Sequence, residues 1–449
     1  MSDLLHKYDI PAPRYTSYPT VPFWETDQFK EARWREAIIQ TFWQNNREIS
    51  LYIHLPFCES LCTYCGCHTY ITKNHQVEEP YIAYLLKEWR LYLQLLPAKP
   101  KLMELHLGGG TPTFFNSDNL GKLIETLKEG CEIGEETQFS FEAHPGNTTR
   151  EHLIRLRALG FDRLSLGIQD FDKTVQRTIN RIQSYEQVLQ TTQLARSLGY
   201  RSINYDLVYG LPGQTLDTLV ATCEHVKELA PDRIAFYSYA HVPKLKPAQK
   251  SFEHLLPAAS DKQAYYLAGK KLLTKAGYRE VGMDHFAKAE DELLQASKND
   301  RLHRNFMGYT TQHHQLLIGL GISAIGDSWG AFVQNHKKLS DYKAQLDNGY
   351  FPIAKGHLHT QEDLFFRKTI LAVMCKGSAQ WSPEDLDRFG LGINWELIDQ
   401  LETDGLITVN ELGLNVTLKG RQFLRIVGMA LDARLSQSGS RTFAFSKAI

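Results

Sequence analysis

Short apolar runs alternate with amphipathic segments from about residue 50 to about residue 280. The runs are rich in β-branched and aromatic residues and end in Gly, Pro or Asp, which is typical of buried parallel strands. They are ISLYIHLP (49–56), LMELHLGGG (102–110), QFSFEAHP (138–145), RLSLGIQD (163–170), INYDLVYG (203–210) and RIAFYSYAHVP (233–243). The segments between them have helical periodicity. Six strand–helix units in series predict an α/β fold with a parallel sheet, and periodicity alone leaves a doubly wound sheet and a barrel open.

Helix starts are indicated by residue pairs with the spacing of a capping box, in which two side chains reciprocally satisfy backbone N–H groups. These pairs are Thr148 with Glu151, Ser184 with Gln187, and Ser260 with Gln263. Each precedes an apolar periodic segment, so each predicts the first turn of a helix.

Polar residues and glycines stand at the carboxyl ends of the predicted strands. They are His54, the run Gly108–Gly110, Glu142, Gln169, Asp206 and Tyr239. Because α/β barrels build their active sites at this end of the strands, these residues are candidates for one common site.

The chain outside the strand–helix repeat predicts two further regions. Pro11, Pro13, Pro19 and Pro22 favour an extended N-terminal arm over residues 1–40. Residues 41–355 are expected to form the barrel together with an extension of it. Residues 356–449 form a helical, winged-helix-like domain with a hairpin turn near Leu412–Gly413. We expect this last domain to serve in packing or as a lid, because a nucleic-acid role requires a basic face.

The composition of the chain argues against nucleic acid and membranes as binding partners. Fifty Lys and Arg balance 51 Asp and Glu, and the net charge of −1 gives no reason to expect nucleic acid. No stretch approaches the roughly 18 apolar residues of a membrane span, and the start of the chain lacks the apolar core of a signal peptide. We therefore expect a cytoplasmic protein that does not interact with a membrane. We also expect a monomer, because no apolar helix beyond those of the domain cores requires a partner.

Four of the seven cysteines lie within ten residues: Cys58, Cys62, Cys65 and Cys67. An odd, clustered set favours metal binding over disulfides, and Cys131, Cys223 and Cys375 are expected in the core. The first three give C-x3-C-x2-C, and thiolates are suited to iron–sulfur clusters. Three ligands for four irons leave one iron open for chemistry, by the logic of catalytic zinc.

A zinc site is the alternative, but structural zinc usually requires a second pair of cysteines farther along the chain. Cys67 could be a fourth ligand, face the substrate, or have no role. Tyr64 is expected to shield the cluster with an apolar wall.

The cysteine spacing, followed one strand later by Gly108-Gly-Gly-Thr-Pro112, resembles the radical S-adenosylmethionine superfamily. The resemblance implies a partial (β/α)6 TIM-like barrel that carries a [4Fe-4S] cluster in the loop after the first strand. It also implies that the glycine run receives the amino group of the methionine moiety, and glycine allows a ligand to approach the backbone closely.

Further motifs resemble the oxygen-independent coproporphyrinogen III oxidase (coproporphyrinogen dehydrogenase) family from about residue 7 to the C-terminus. They include PRYTSYPT (13–20), YIHLPFC (52–58), HLGGGTPT (106–113), LSLGIQDF (164–171), DLVYGLPGQT (206–215), GMDHFA (282–287) and LHRNFMGYTTQ (302–312). This resemblance implies conversion of two propionates of coproporphyrinogen III to vinyl groups in haem biosynthesis. The radical that starts the reaction comes from reductive cleavage of S-adenosylmethionine, so an electron donor is also implied.

The resemblance assigns roles to individual positions. Catalytic roles fall to Tyr52, His54, Cys67 and Glu142, and cluster ligation falls to Cys58, Cys62 and Cys65. S-adenosylmethionine contacts fall to Tyr52, Gly109, Gly110, Thr111, Glu142, Gln169, Arg181, Asp206 and Ala240, with Gln312 near a second molecule that the family can hold. Arg14, His303 and Arg304 are candidates for gripping propionates.

Structural alternatives stand beside these roles. His54 could be a satisfied core histidine, Gln169 and Asp206 could cap strands, and Arg181 could be a surface charge. The family usually has Val-Asp-Pro-Arg where this chain has Ala143-His-Pro-Gly146, and the segment after Ile325 is shorter than expected. The competing functions are a relative acting on another tetrapyrrole, such as in anaerobic haem degradation, and a haem chaperone.

Overall fold

The computed structural model describes residues 2–26, 29–437 and 445–448. Its strands are β1 (Glu48–Leu55), β2 (Phe57–Cys58), β3 (Tyr70–Ile71), β4 (Lys101–Gly109), β5 (Glu132–Ala143), β6 (Arg163–Gln169), β7 (Ser202–Tyr209), β8 (Arg233–Ser238), β9 (Arg279–Val281), β10 (His285–Ala287), β11 (His303–Asn305), β12 (Gly308–Thr310), β13 (Leu317–Leu320), β14 (Ile325–Asp327), β15 (Ala331–Asn335), β16 (Ile353–Leu358), β17 (Ser378–Gln380), β18 (Ile407–Asn410) and β19 (Gly413–Val416).

The α-helices are α1 (Ser2–Tyr8), α2 (Glu31–Gln44), α3 (Glu78–Leu95), α4 (Ser117–Glu129), α5 (Arg150–Ala158), α6 (Lys173–Thr178), α7 (Tyr185–Ser197), α8 (Leu216–Leu229), α9 (Ala259–Lys275), α10 (Glu292–Lys298), α11 (Leu339–Asp347), α12 (Gln361–Lys376), α13 (Pro383–Phe389), α14 (Trp395–Thr403), α15 (Leu424–Ala430) and α16 (Ala433–Gln437). Short 3-10 helices lie at Val21–Phe23, His75–Val77, Pro112–Phe114, Pro247–Leu255, Gly390–Gly392 and Gly420–Phe423.

Six parallel strands form the centre of one curved sheet, in the order β1-β4-β5-β6-β7-β8. These are the six predicted strands, and the partial (β/α)6 barrel is confirmed. The sheet continues beyond β1 through the parallel strand β13 and the antiparallel strands β14, β15 and β16. Beyond β8 it continues through β10 and β9, so the barrel remains open between two antiparallel edges.

The main core lies between the sheet and its outer helices. It includes Leu51, Leu105, Phe141, Leu166 and Ile203, each with no more than 1% of its surface exposed. Cys131 and Cys223 are buried as predicted, and Cys375 is half-buried. Within the described ranges, no helix combines the length and the apolar composition that crossing a bilayer requires.

The N-terminal arm is not extended over residues 1–40 as predicted, because Ser2–Tyr8 and Glu31–Gln44 are helices. The prolines keep only the stretch between them out of helical conformation. That stretch packs into a second core with the C-terminal helices, to which it contributes Ala12, Tyr15 and Tyr18, and α1 adds Tyr8. The arm and the C-terminal region therefore share one hydrophobic core.

The C-terminal region has the predicted hairpin, formed by β18 and β19, with β17 as a third strand. The expected boundary between residues 355 and 356 cuts through β16, which belongs to the large sheet. This favours a transition after Leu358, before α12 begins.

Candidate active site

The cysteine segment leaves the carboxyl end of β1 and is closed into a loop by the pairing of β2 with β3. Tyr70 donates its backbone N–H to the Pro56 carbonyl at 2.8 Å, which fixes the base of the loop. Thr63 donates its backbone N–H to the Ile179 carbonyl at 3.0 Å, which ties the loop to the segment after α6. The loop is thus held at both ends by backbone contacts.

The thiols of this loop line one pocket of about 380 Å³ at the carboxyl edge of the parallel strands. The structure brings together most of the predicted site residues there: Cys58, Cys62, Cys65, Cys67, Gly109, Gly110, Thr111, Glu142, Gln169, Arg181 and Asp206. All of them except Arg181, which follows α6, come from the ends of β1, β4, β5, β6 and β7 or from the cysteine loop after β1, so the parallel topology explains why those residues meet.

Tyr52 and His54 lie behind this pocket. His54 is 5% exposed, and its Nε2 is 2.9 Å from the His68 carbonyl oxygen, which can only accept a hydrogen bond. Nε2 therefore carries the proton, and Nδ1 accepts from the Tyr52 hydroxyl at 3.1 Å. Burial lowers the pKa of His54 to about 4, so the ring is neutral. This placement favours a positioning role, with His54 holding the far end of the cysteine loop.

The glycine run packs directly against those two side chains. A Cβ at Gly109, where φ is +112°, would come within 2.6 Å of the His54 ring. A Cβ at Gly110 would come within 2.6 Å of the Pro56 backbone. Glycine is therefore required here by the neighbouring strand β1, in addition to any need for close approach by a ligand.

Glu142 links the glycine run to the interior of the barrel. Its Oε2 accepts the Gly109 backbone N–H at 3.1 Å, and its Oε1 lies 3.6 Å from His106 Nε2. Burial acts to raise the pKa of Glu142, but the hydrogen bonds from His106 and Gly109 outweigh it and lower the pKa. A charged carboxylate at this position can accept from a ligand cation or amino group.

Asp206 is the second carboxylate of the pocket. It accepts from Ser165 Oγ at 3.1 Å and from Asn204 Nδ2 at 2.9 Å. Burial, and secondly the charge of Glu142, raise its pKa to about 6. These contacts are more than a strand cap needs, because both donors are side chains that face the interior of the barrel.

Arg181 and Gln169 come from the other side of the pocket. Arg181 donates to the Gly167 carbonyl through Nη2 at 2.6 Å, and its Nη1 lies 3.7 Å from Cys62 Sγ. It is not a surface helix charge, because it lies in the loop after α6 beside the thiols. Gln169 has φ of +67° at a register shift between β6 and β7. This irregularity directs a non-glycine residue toward the pocket.

The cysteines differ in environment. Burial raises the pKa of Cys58 to about 11, whereas a hydrogen bond from the Cys67 thiol lowers the pKa of Cys65 to about 6. Cys67 also donates its backbone N–H to Cys65 Sγ at 3.4 Å. Among the described residues, no three His, Cys, Asp or Glu side chains meet closely enough to hold one metal ion.

Ala240 lies outside the pocket lining and connects to it through Gln249. The buried Gln249 donates from Nε2 to the Tyr64 carbonyl at 3.1 Å and to the Ala240 carbonyl at 3.3 Å. Its Oε1 accepts the Val242 backbone N–H at 2.6 Å. Gln249 thus joins the cysteine loop to the end of β8. No local pattern marks Gln249, because its partner Tyr64 is 185 positions away.

Gln312 also lies away from the thiols. It lines a separate cavity of about 470 Å³ with His303, His313 and Trp329. The rings of His303 and His313 stack at 4.0 Å. Trp329 belongs to the segment after Ile325, which is shorter than in the family pattern. This difference from the family therefore lies beside the cavity of Gln312 and not beside the pocket of the thiols.

The other propionate candidates lie near the end of β8. Arg14 donates to the Ser238 carbonyl at 3.1 Å, and Arg304 donates to the Arg14 carbonyl at 3.3 Å. Arg304 is 5% exposed, and its Nε has no hydrogen-bond partner within the described part of the chain. These two arginines are adjacent, whereas His303 faces the cavity of Gln312.

A polar cavity of about 260 Å³ fills the interior of the barrel and shares Glu142, Ser165 and Asp206 with the thiol pocket. Sequence reasoning missed most of its lining, which includes Glu104, His106, Gln138, Ser140, Asn204, Tyr237 and His285. The signal was present in QFSFEA, where polar residues alternate with phenylalanines along β5. The period of two places every polar residue on the face toward the interior.

The pocket fits the two groups that the sequence resemblance implies. Three thiols in one loop are a soft donor set for iron, and Arg181 Nη1 supplies positive charge beside one of them. The carboxylates of Glu142 and Asp206 face the same space as those thiols and suit the amino and hydroxyl groups of S-adenosylmethionine.

Comparison with known proteins extends the likeness to the whole chain. A model described as the radical SAM superfamily matches residues 52–226. Proteins named oxygen-independent coproporphyrinogen III oxidase are 38% identical in Salmonella typhimurium, over 99% of this chain and 98% of the relative, and 38% identical in Synechocystis, over 100% and 98%. A solved structure of coproporphyrinogen III oxidase from Escherichia coli, described as a radical SAM enzyme, matches with a TM-score of 0.89 and 36% identity, covering 94% of this chain and 98% of that one.

These identities extend over nearly the full length of both chains, and the solved structure has the same fold over 94% of this one. The chain belongs to the oxygen-independent coproporphyrinogen III oxidase family of the radical S-adenosylmethionine superfamily.

Proposed function

We propose that the protein converts two propionate side chains of coproporphyrinogen III to vinyl groups and so forms protoporphyrinogen IX in haem biosynthesis. One observation carries the proposal within the structure. Cys58, Cys62 and Cys65 line the same pocket as Gly109, Thr111 and the carboxylates of Glu142 and Asp206. The full-length similarity to coproporphyrinogen III oxidases supports the choice of substrate.

Cys58, Cys62 and Cys65 would hold a [4Fe-4S] cluster, and Gly109, Gly110, Thr111, Glu142, Gln169, Arg181 and Asp206 would hold S-adenosylmethionine. When bound, these groups supply a carbon-centred radical that removes hydrogen from a propionate. Glu142 and Asp206 have different pKa values, so the pocket offers a charged carboxylate at the glycine run and a more readily protonated one deeper in the barrel.

The chain's own side chains would orient these groups. His54 holds the His68 carbonyl, Gln249 holds the Tyr64 carbonyl, and Arg181 offsets negative charge at Cys62. Each acts on a different part of the cysteine loop. Such support matters because a radical reaction requires the reacting atoms to be placed closely and kept from water.

The proposal is tested by anaerobic turnover of the reconstituted protein with coproporphyrinogen III, S-adenosylmethionine, a one-electron reductant and an electron acceptor. The acceptor is needed because each vinyl group formed releases one electron in addition to the hydrogen atom that the radical removes. We expect two molecules of carbon dioxide and one molecule of protoporphyrinogen IX for each substrate. A parallel incubation contains haem in place of coproporphyrinogen III. Loss of haem there, with no vinyl product from coproporphyrinogen III, would support haem degradation; haem binding without turnover of either compound would support a chaperone. Either result would overturn the proposal.

We place this reaction in the cytoplasm and in a monomer, with a separate reductant for the cluster. The seven cysteines of the chain are all free thiols, which supports a reducing compartment. Light scattering during size-exclusion chromatography tests the monomer, whose mass is 51.4 kDa.

A further inference from the structure

Large apolar side chains are exposed around the cysteine loop. Leu61 is 42% exposed and stands between Cys58 and Cys62, and Ile182 is 71% exposed and follows Arg181. Leu245 and Leu255, from the segment after β8, are 62% and 42% exposed. Apolar residues of this size usually form contacts, so their grouping around one loop indicates an interaction surface.

These residues belong to one continuous face. Asn180 Nδ2 donates to the Leu61 carbonyl at 2.7 Å, which joins the cysteine loop to the segment of Ile182. Gly213 donates its N–H to the Leu255 carbonyl at 2.9 Å, and a Cβ at Gly213 would lie 4.0 Å from Thr178. Beneath them, Val175, Ile179 and Phe252 form one small core with Tyr64. We call residues 58–73, 172–182 and 244–255 the cysteine-loop face.

The cysteine-loop face is positively charged, although the whole chain has a net charge of −1. Apart from Arg181, which lies in the thiol pocket, its three segments contain six basic residues and three acidic residues: Lys73, Lys173, Arg177, Lys244, Lys246 and Lys250 against Glu59, Asp172 and Glu253. Lys173, Arg177, Lys244 and Lys250 are exposed. An excess of one sign on one face attracts a partner of the opposite sign and increases its rate of encounter.

We propose that the cysteine-loop face docks a small acidic one-electron carrier protein that reduces the cluster. The proposal rests on the proposed function, in which the cluster requires one electron for each cleavage of S-adenosylmethionine. In each encounter the carrier loses one electron and the cluster gains one, and no bond forms or breaks. The occupant is identified by charge complementarity and by the position of Leu61, which stands in the chain between two of the proposed cluster ligands, Cys58 and Cys62.

Half-burial of the thiols is consistent with this route. Cys58, Cys62 and Cys65 are neither exposed nor fully buried, so a carrier resting on Leu61 would lie close to them without displacing the loop. Electron transfer slows steeply with distance, and the opposite face of the barrel is separated from the thiols by the whole sheet. The carrier therefore gains most by binding at the cysteine loop.

The test uses reduced bacterial flavodoxin as the probe and the reconstituted holoenzyme. We expect the double variant Lys173→Glu/Lys250→Glu to bind flavodoxin about tenfold more weakly at low salt, and its cluster to be reduced about tenfold more slowly. Binding is measured by calorimetry, and reduction by stopped-flow loss of cluster absorbance. Ile182→Ser should weaken binding without altering its salt dependence.

The matched control is Lys275→Glu/Lys298→Glu, which changes the net charge equally at exposed positions at the ends of α9 and α10. The control should bind flavodoxin as the wild type does. Dithionite, a small reductant that needs no docking, should drive turnover in all variants equally. Equal weakening by both double variants, or by neither, overturns the docking proposal, whereas absence of dithionite-driven turnover in the wild type overturns the proposed function.

Discussion

The pocket of the thiols and the core shared by the N-terminal arm and the C-terminal helices are assembled in different ways. In the pocket, the residues that meet stand at the ends of consecutive strands, and a parallel sheet brings such ends together. In the second core, individual hydrogen bonds between residues far apart in the sequence bring the parts of the chain together. Tyr15 donates to Asp432 at 3.0 Å across 417 positions, and Tyr8 donates to Asp404 at 2.6 Å across 396 positions.

The two regions therefore serve different purposes: the pocket supports the reaction, and the second core supports the stability of the fold. The pocket holds thiols, carboxylates and an arginine whose arrangement would be lost by one substitution without unfolding the barrel. The second core holds buried aromatic residues and the buried side chain of Arg425, which donates hydrogen bonds to backbone carbonyls near both ends of the chain. Variants in the first region should therefore remove function with little effect on stability, and variants in the second should do the reverse.

The largest expected effect is the loss of the cluster in Cys62→Ser. A hydroxyl is a hard ligand for iron, so the variant should lose the visible absorbance of the cluster and all cleavage of S-adenosylmethionine. Its melting temperature without cluster should match that of the cluster-free wild type. Cys67→Ser is the control, because Cys67 supports Cys65 through its backbone N–H and should retain the absorbance. Cleavage by Cys62→Ser at the wild-type rate would refute the ligand assignment.

Arg425→Ala should give the opposite result. Arg425 is 5% exposed and donates to the carbonyls of Ala12, Pro13, Ser446 and Lys447. Its removal leaves buried carbonyls without donors, so the free energy of unfolding should fall by about 3 kcal/mol. Urea unfolding measures this loss, and cluster absorbance should remain.

Arg421→Ala is the control for that experiment, because the exposed Arg421 lies in the same part of the chain. Its effect should stay within about 0.5 kcal/mol. If Arg421→Ala and Arg425→Ala destabilise the protein equally, the hydrogen bonds from Arg425 to the carbonyls at the two ends of the chain are not the source of the stability.

Sequence patterns predicted the barrel well because each strand is a buried run bounded by turn residues. The capping box of Ser184 with Gln187 is confirmed. The predicted cap at Thr148 is one residue early: Thr149 caps α5 with His152, whose ring also bonds the Phe115 carbonyl at 2.8 Å. Ser260 does not start a helix, since α9 begins at Ala259. Long-range contacts, such as the hydrogen bond between His152 and the Phe115 carbonyl, decide which of two neighbouring residues caps the helix. The local spacing of residues carries no information about such contacts.

The candidate site shows the same division. The cysteines and strand-end residues were predictable because one local motif or one strand end marks each of them. The roles of Gln249 and Arg425 were not predictable, because their hydrogen-bond partners are distant in the sequence and the residues next to them form no recognisable motif. Strands β13 to β16 were not predicted, because they lie outside the strand–helix repeat. Only β13 pairs with β1, and β14, β15 and β16 are added to it one after another, so their places depend on a sheet that has already formed.

Acid should destabilise the pocket side of the molecule through His54. Its folded pKa of about 4 lies below the ordinary value of 6.5, so the unfolded chain binds the proton more readily. The stability is therefore fully present above pH 6.5 and declines as the pH falls toward 4, by up to about 1.4 kcal/mol per pH unit. His54→Gln should reduce this slope in urea unfolding between pH 7 and pH 5. An unchanged slope would assign the acid sensitivity to other buried histidines, such as His285.

The smallest effect should come from Tyr15→Phe, and its pH dependence tests the second core. Burial raises the pKa of Asp432 to about 6, and the Tyr15 hydroxyl is one of the donors that oppose this rise. Raising the pH through 6 charges the buried carboxylate and costs stability, which the hydroxyl partly offsets. Without the hydroxyl the pKa of Asp432 rises further, so the penalty continues to grow above pH 6.

The loss in Tyr15→Phe should therefore be a few tenths of a kcal/mol at pH 5 and about 1.5 kcal/mol at pH 8, measured by urea unfolding. Tyr350→Phe, at a side chain that is 59% exposed, should show no such change. A loss that is equal at both pH values would mean that Asp432 keeps one protonation state throughout. The hydroxyl would then contribute an ordinary hydrogen bond, and the stability of the second core would depend on its aromatic packing and on Arg425 alone.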